Sequence, residues 1–238
     1  MSVITRLLTV ALGVSVTACV SQQRADTDTA GAAKSASSGA AAAPTSDPDR
    51  ATGGAGVPTG FSGRTDRAST NIADAKYVNK GTDKWEVTTG PAHIMWSAAD
   101  TARGNFTAAT TIEQLSAPAH AEAFGMFVGG QQLDQPDQRY TYLVVRGTGE
   151  YLVTVREGGA TRAVVPWTAN AAVPKQDGSG KATYRLAIQA GTDSVRFLVN
   201  GTRVASVARG AVPVDGIVGL RINHNLHVQT DRVRIGAQ

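Results

Sequence analysis

Asn200-Gly201 separates two runs of alternating residues, and no other pair in the chain restricts the fold so tightly. Asparagine and glycine tolerate the positive φ angles of a type I′ turn, whose twist matches that of the strands it joins. On one side of the turn, Val195, Phe197 and Val199 alternate with Arg196 and Leu198. A two-residue loop places Val199 opposite Thr202, Phe197 opposite Val204 and Arg196 opposite Ala205. Apolar pairs then share one face, so turn and pattern specify one register. Upstream, Tyr184, Leu186 and Ile188 fall on one side of a further strand and Arg185, Ala187 and Gln189 on the other, with Ala190–Ser194 as the turn between. A helix is a poor alternative, because β-branched residues are dense and glycine recurs.

The same period of two continues elsewhere. Trp85–Thr89, Ala92–Trp96, Phe106–Leu115, His120–Val128, Tyr140–Arg146, Glu150–Glu157, Arg162–Trp167, Ile217–Ile222 and Val228–Ile235 read as strands separated by Gly, Pro and Asn turns. Asn71–Lys84 is a lead-in without a clear pattern. Ten to twelve short strands without a long helix predict an all-β fold, an antiparallel two-sheet jelly-roll sandwich. No repeat of fixed period is present. Roughly 150 residues suffice to bury such a core without disulfides.

Charge narrows the partners. The formal net charge is +4, but from Trp85 onward Lys and Arg barely outnumber Asp and Glu and alternate with apolar residues. That is a solvated sheet face, and the expectation is no nucleic-acid partner. Arg232-Val233-Arg234 reads as the outward side of a strand.

The chain has one cysteine, Cys19, which excludes an internal disulfide and a cysteine-cluster zinc site. Arg6, the apolar run Leu7–Val16 and the small residues before Cys19 have the layout of an export signal over 1–18, too short to span a bilayer comfortably. Val16-Thr17-Ala18-Cys19 resembles the bacterial lipoprotein cleavage box, which implies a lipid-modified Cys19 and a chain held on a bilayer by several acyl chains. The expected location is the bacterial cell envelope. Val20 lacks the acidic character that the lipoprotein rule associates with inner-membrane retention, so the outer membrane is expected in a Gram-negative host. Residues 19–70, rich in Ala, Ser, Gly and Pro, are expected to form a tether, and 71–238 the sandwich.

Several segments resemble the concanavalin A-like, laminin-G-like jelly rolls of bacterial lipoproteins, in particular modules similar to the 3-keto-disaccharide hydrolase-like domains. They are Gly90–Ile94, Gly104–Thr107, Glu122–Gly130, Val199–Thr202 and Gly219–Leu226. The resemblance covers about residues 85–235. It implies a fold that serves lectins, glycosidases and adhesion modules alike. The Glu-x-Asp-x-x-Glu strand motif of laminarinase-type glucanases is absent.

Candidate site residues are few. Asn223-His224-Asn225 reads first as a tight turn, since asparagine accepts left-handed backbone, and second as a polar rim for a sugar. His224 and His227 fall on opposite faces of a continuous strand, with no third ligand nearby in the sequence, so no metal is expected. His120 and Glu122 would share a strand face with Phe124, as a salt link or, alternatively, an acid–base pair. Trp167 is either a core plug at one end of the sandwich or a platform for a sugar ring. Asp134 and Asp137 lie in a polar loop without calcium-ligand spacing. Gly178-Ser179-Gly180-Lys181 lacks the first glycine, the Ser or Thr and the helix of a phosphate loop. No motif for a cofactor or for a catalytic nucleophile is present. The expectation is a non-enzymatic binding domain for glycan or another envelope component. The alternatives are a carbohydrate-active enzyme of the 3-keto-glycoside type and an assembly lipoprotein that pairs with an envelope protein.

Overall fold

The computed structural model describes residues 52–237; residues 1–51, including Cys19 and the expected signal, lie outside the described residues. The strands in chain order begin with β1 (Ser62–Thr65), β2 (Lys76–Gly81), β3 (Lys84–Thr89), β4 (His93–Ala102) and β5 (Phe106–Gln114). They continue with β6 (Ala123–Gln131), β7 (Arg139–Arg146), β8 (Glu150–Glu157), β9 (Ala160–Ala169) and β10 (Ala182–Ala190). The last are β11 (Ser194–Val199), β12 (Thr202–Ala208), β13 (Gly216–Ile222), β14 (Leu226–Asp231) and β15 (Arg234–Ala237).

They form the jelly-roll sandwich that the turn spacing predicts. One sheet runs β1-β4-β13-β6-β7-β8-β9 and the other β12-β11-β10-β5-β14-β3-β2, with β15 beside β5. Every pairing within the two sheets is antiparallel. Phe124, Met126, Leu143 and Val153 of the first sheet and Tyr184, Leu186, Ile188 and Phe197 of the second belong to one buried cluster. The alternate residues of the first sheet build a second cluster on its other face, with Ile94, Trp96, Phe127, Tyr140, Tyr142 and Val144. β6 is therefore buried on both sides, which is why it reads as a continuous apolar run. Gly125 is required within it: an added Cβ would stand 2.0 Å from the carbonyl oxygen of Leu143.

The Asn200-Gly201 hairpin forms as expected, with φ of 51° and 80° at its two central residues. Val199 faces Thr202, but Phe197 faces Ala205 and Arg196 faces Ser206, because a bulge follows the first two pairs. The extra residue is Val204, and the predicted register holds only beside the turn. Asn200 is held further by its side chain, whose Oδ1 accepts from the Arg185 N–H at 2.9 Å.

Four other expectations change. The tether predicted to run to residue 70 is already part of the sandwich from Thr52 onward: Ser62–Thr65 pairs with His93–Trp96, and Phe61 meets Trp85 edge-on at 5.0 Å. A four-residue edge strand needs a ladder, not a run of large apolar residues, so composition alone conceals it. The lead-in before Lys84 is strand β2. The strand expected from His120 starts only at Ala123, because residues 115–122 carry the chain from one sheet to the other. The closing strand is broken at Arg232-Val233, between β14 and β15.

Candidate functional site

Two chain segments that cross between the sheets meet at one end of the sandwich. The first is the connection ending at Glu122. The second is the β13–β14 turn, Asn223-His224-Asn225, built by hydrogen bonds that leave it little freedom. The Asn223 N–H donates to the Ala123 carbonyl at 3.0 Å and the Asn225 N–H to the Thr89 carbonyl at 3.1 Å. The Thr89 hydroxyl donates to the Asn223 carbonyl at 2.7 Å and accepts from the Leu226 N–H at 3.1 Å. Asn225 has φ of 55°, the left-handed conformation that makes asparagine suitable there.

This turn brings His224 to His120 and Glu122. Each imidazole Nε2 stands 2.8 Å from Glu122 Oε1, and the two Nε2 atoms are 3.4 Å apart. The other carboxylate oxygen, Oε2, accepts from the Asn223 side-chain amide at 3.1 Å. The Glu122 side chain is only 9% exposed, that of His224 22% and that of His120 52%, so the cluster opens outward through His120. A small hollow of about 130 Å³ beside it shares Asn223 and His224 and includes Asp66 and Arg67. Among the described residues, these three side chains are the one set of His, Cys, Asp and Glu whose ligand atoms converge within 4.8 Å. The expectation that His224 has no further ligand group nearby is thus corrected: His120, 104 positions away, and Glu122 both reach it. His227 takes no part and instead meets Glu86 at 2.8 Å on the neighbouring strand β3 of its own sheet. His120 and Glu122 do interact, as anticipated, but across a connection and not along a strand.

Trp167 lies elsewhere and is not a core plug. It is 37% exposed on edge strand β9, where Pro166 and Trp167 together oppose the single residue Leu152. That bulge turns the indole outward, and the Arg146 guanidinium stacks 4.2 Å from its ring centre. Glu150 holds Arg146 in place at 2.8 Å. One face of the indole is therefore covered within the chain itself.

A buried ionic group escapes any reading of the alternation. Arg221 on β13 faces the second apolar cluster, 7% exposed. Its two terminal nitrogens grip both carboxylate oxygens of Asp66, its guanidinium lies 5.7 Å from the Tyr142 ring, and its Nε has no hydrogen-bond partner. Arg156 adds a second positive charge 3.9 Å from Asp66. Burial pushes the Asp66 carboxyl upward, but Arg221 and Arg156 override it and hold its pKa below the ordinary value.

Next to this pair, His93 is fully buried. Its Nδ1 lies 3.0 Å from the Pro91 carbonyl and its Nε2 2.6 Å from the Tyr77 hydroxyl. A carbonyl only accepts, so the proton sits on Nδ1 and the tyrosine donates to Nε2. Burial pushes His93 down to about 4. In the unfolded chain the ring takes up its proton near its ordinary pKa of about 6.5, so between those values the unfolded state holds more protons and stability falls as pH falls. Urea midpoints measured between pH 7.5 and 4 should decline across that window, and His93→Gln should flatten the slope.

A third feature lies on the outer face of the eight-stranded sheet. β14 pairs with β5 as far as Ile112 and β15 resumes at Ala109, so Thr110 and Thr111 have no strand partner on that side. The result is a groove of about 520 Å³, floored by Ala109, Ala187 and Leu198 and rimmed by Asp83, Lys84, Arg185, Asp231 and Arg234. Arg232 also lines the groove, with its guanidinium engaged by paired bonds to Asp100 at 2.9 and 2.7 Å.

No protein-family model matches the chain, and the search of curated proteins found no relative. Solved structures do match in shape. A protein of unknown function with a galectin-like fold from Bacillus subtilis superimposes with a TM-score of 0.52 at 12% identity, over 74% of this chain and 94% of that one. The carbohydrate binding module CBM66 from Bacillus subtilis overlaps more loosely, with a TM-score of 0.47 at 12% identity over 75% of this chain and 96% of the module. A Caenorhabditis elegans galectin gives 0.39 at 14% identity over 67% of this chain and 95% of its own. The class of fold is that of the galectin-like jelly rolls, and the likeness ends at the fold.

Proposed function

We propose that this chain is a bacterial envelope lipoprotein, anchored through Cys19, whose jelly-roll domain binds glycan without catalysing a reaction. The groove on the eight-stranded sheet carries the reading. Its volume, about 520 Å³, lies within the range of about 300–1,000 Å³ common for small-molecule sites. Sugar hydroxyls donate and accept at once. The rim offers donors in Arg185, Arg234 and Lys84, acceptors in Asp83 and Asp231, which pair with Arg234 and Lys84 at 3.0 and 3.1 Å, and the Thr111 hydroxyl as both. Ala109, Ala187 and Leu198 supply an apolar floor for the C–H face of a sugar ring. Much of the groove rests on β10 and β11, each paired on both sides, so little ordering is needed on binding.

A glycan array probed with the full-length chain tests this. Saturable binding should appear and should weaken at least tenfold in Arg185→Ala, whose exposed side chain reaches the rim without supporting the core. Trp167→Ala should leave it unchanged. The absence of binding to any glycan defeats the reading, and loss in Trp167→Ala alone moves the site to the edge of the other sheet. The anchor is tested separately by metabolic labelling with palmitate, which Cys19→Ser should abolish.

A further inference from the structure

We propose that His120, Glu122 and His224 form a binding site for a divalent first-row transition ion, with Zn²⁺ the best fit. Two imidazoles and one carboxylate are the donors of open zinc sites, in which a further position is left for water or a ligand. Calcium and magnesium demand shells of oxygen, and two of the three donors here are nitrogen. The spacing is already that of a ligand set. Bonds of about 2.0–2.1 Å put the ligand atoms of a tetrahedral zinc ion about 3.3 Å apart, and the two Nε2 atoms are 3.4 Å apart. Each is 2.8 Å from the same oxygen of Glu122. An ion about 2 Å from all three atoms fits about 1 Å outside their plane without displacing any of them.

The surroundings support the same assignment. Asn223 binds the other oxygen of Glu122 and so aims Oε1 at both imidazoles, the role of a group that orients a metal ligand. His224 and Asn223 stand on a turn fixed by Thr89 and Ala123, and Glu122 directly precedes β6. Glu122 and His224 are thus placed before an ion arrives. His120 faces solvent, giving an ion its way in and a side open to ligand. The site is separate from the groove, whose lining shares no residue with it.

The test uses the full-length chain carrying Cys19→Ser, so that no thiol competes. Titration with ZnCl₂ by calorimetry should show one equivalent bound, with a dissociation constant in the micromolar range or tighter. CoCl₂ should give the visible absorption bands of a low-coordinate site, and CaCl₂ and MgCl₂ should not bind there. His120→Ala, which removes an exposed side chain and leaves the core intact, should weaken Zn²⁺ at least tenfold, as should Glu122→Gln; Asn223→Ala should weaken it about tenfold. His227→Ala should have no effect. Circular dichroism verifies that each variant is folded. Affinity weaker than millimolar, or affinity unchanged in folded His120→Ala, overturns the proposal, as does loss in His227→Ala in its place.

Discussion

Replacing Asp66 with alanine lowers the unfolding free energy by roughly 3–5 kcal/mol, the cost of leaving a buried charge without its partner. Arg221 cannot escape to water: it is 7% exposed, flanked by the Tyr142 ring, and already has one nitrogen without a partner. For a domain of this size the melting temperature should fall by about 10 °C. Calorimetric or optical melting of Asp66→Ala against the parent measures it. Arg221→Met combined with Asp66→Ala should recover much of the loss, since an apolar side chain suits that face and only Arg156, whose Nε still donates to the Gly158 carbonyl, keeps a charge there. A double variant no more stable than Asp66→Ala would mean that the charge was not the cause. The pair also sets an acid limit. Because the folded pKa of Asp66 lies below its ordinary value, its contribution is whole above that value and is lost as pH falls through the folded one. His93 acts earlier, between about 6.5 and 4. Acid unfolding should therefore show two successive losses, the first removed in His93→Gln and the second in the Asp66 variants.

Phe124→Ala is expected to cost about 3–5 kcal/mol. Phe124 is fully buried and spans the gap between the sheets, meeting Tyr184 edge-on at 5.3 Å and 69°. The cost depends on whether neighbours can close the cavity. Tyr184 cannot swing inward freely, because its hydroxyl donates to the Pro174 carbonyl at 3.1 Å and β10 is paired on both sides. The space should remain open, placing the value in the upper half of that range. Phe124→Leu, which keeps most of the volume, should cost less than half as much. Equal losses in the two variants, read from urea denaturation, would show that packing of the ring is not what Phe124 contributes.

Local chemistry was legible and cross-chain chemistry was not. Asn200-Gly201 fixes its own turn, so the hairpin follows from two residues, while the bulge at Val204 depends on neighbours and escapes a pattern argument. Asn223-His224-Asn225 is recognisable as a turn because of what asparagine does with its own backbone. Its approach to His120 and Glu122 depends on where two crossing connections end, and no spacing between residues 120 and 224 encodes that. Arg221 misleads most directly. Alternation along β13 marks two faces, and the polar one is naturally taken as solvated; the second apolar cluster makes it an interior, and the partner, Asp66, sits in a stretch whose composition suggested no fold.

The borders of the two sheets bear on how another chain could attach. β1 is four residues long, β9 carries Pro166 without a donor N–H, β12 is bulged at Val204, and β2 bears Lys76 and Lys80. Short length, proline, bulges and lysine are the devices that spoil an open edge as a template for a further strand. A neighbouring protein would thus meet this domain through its faces or its ends, by side chains and not by backbone ladders. The same borders should keep densely packed copies from fusing their sheets into aggregates.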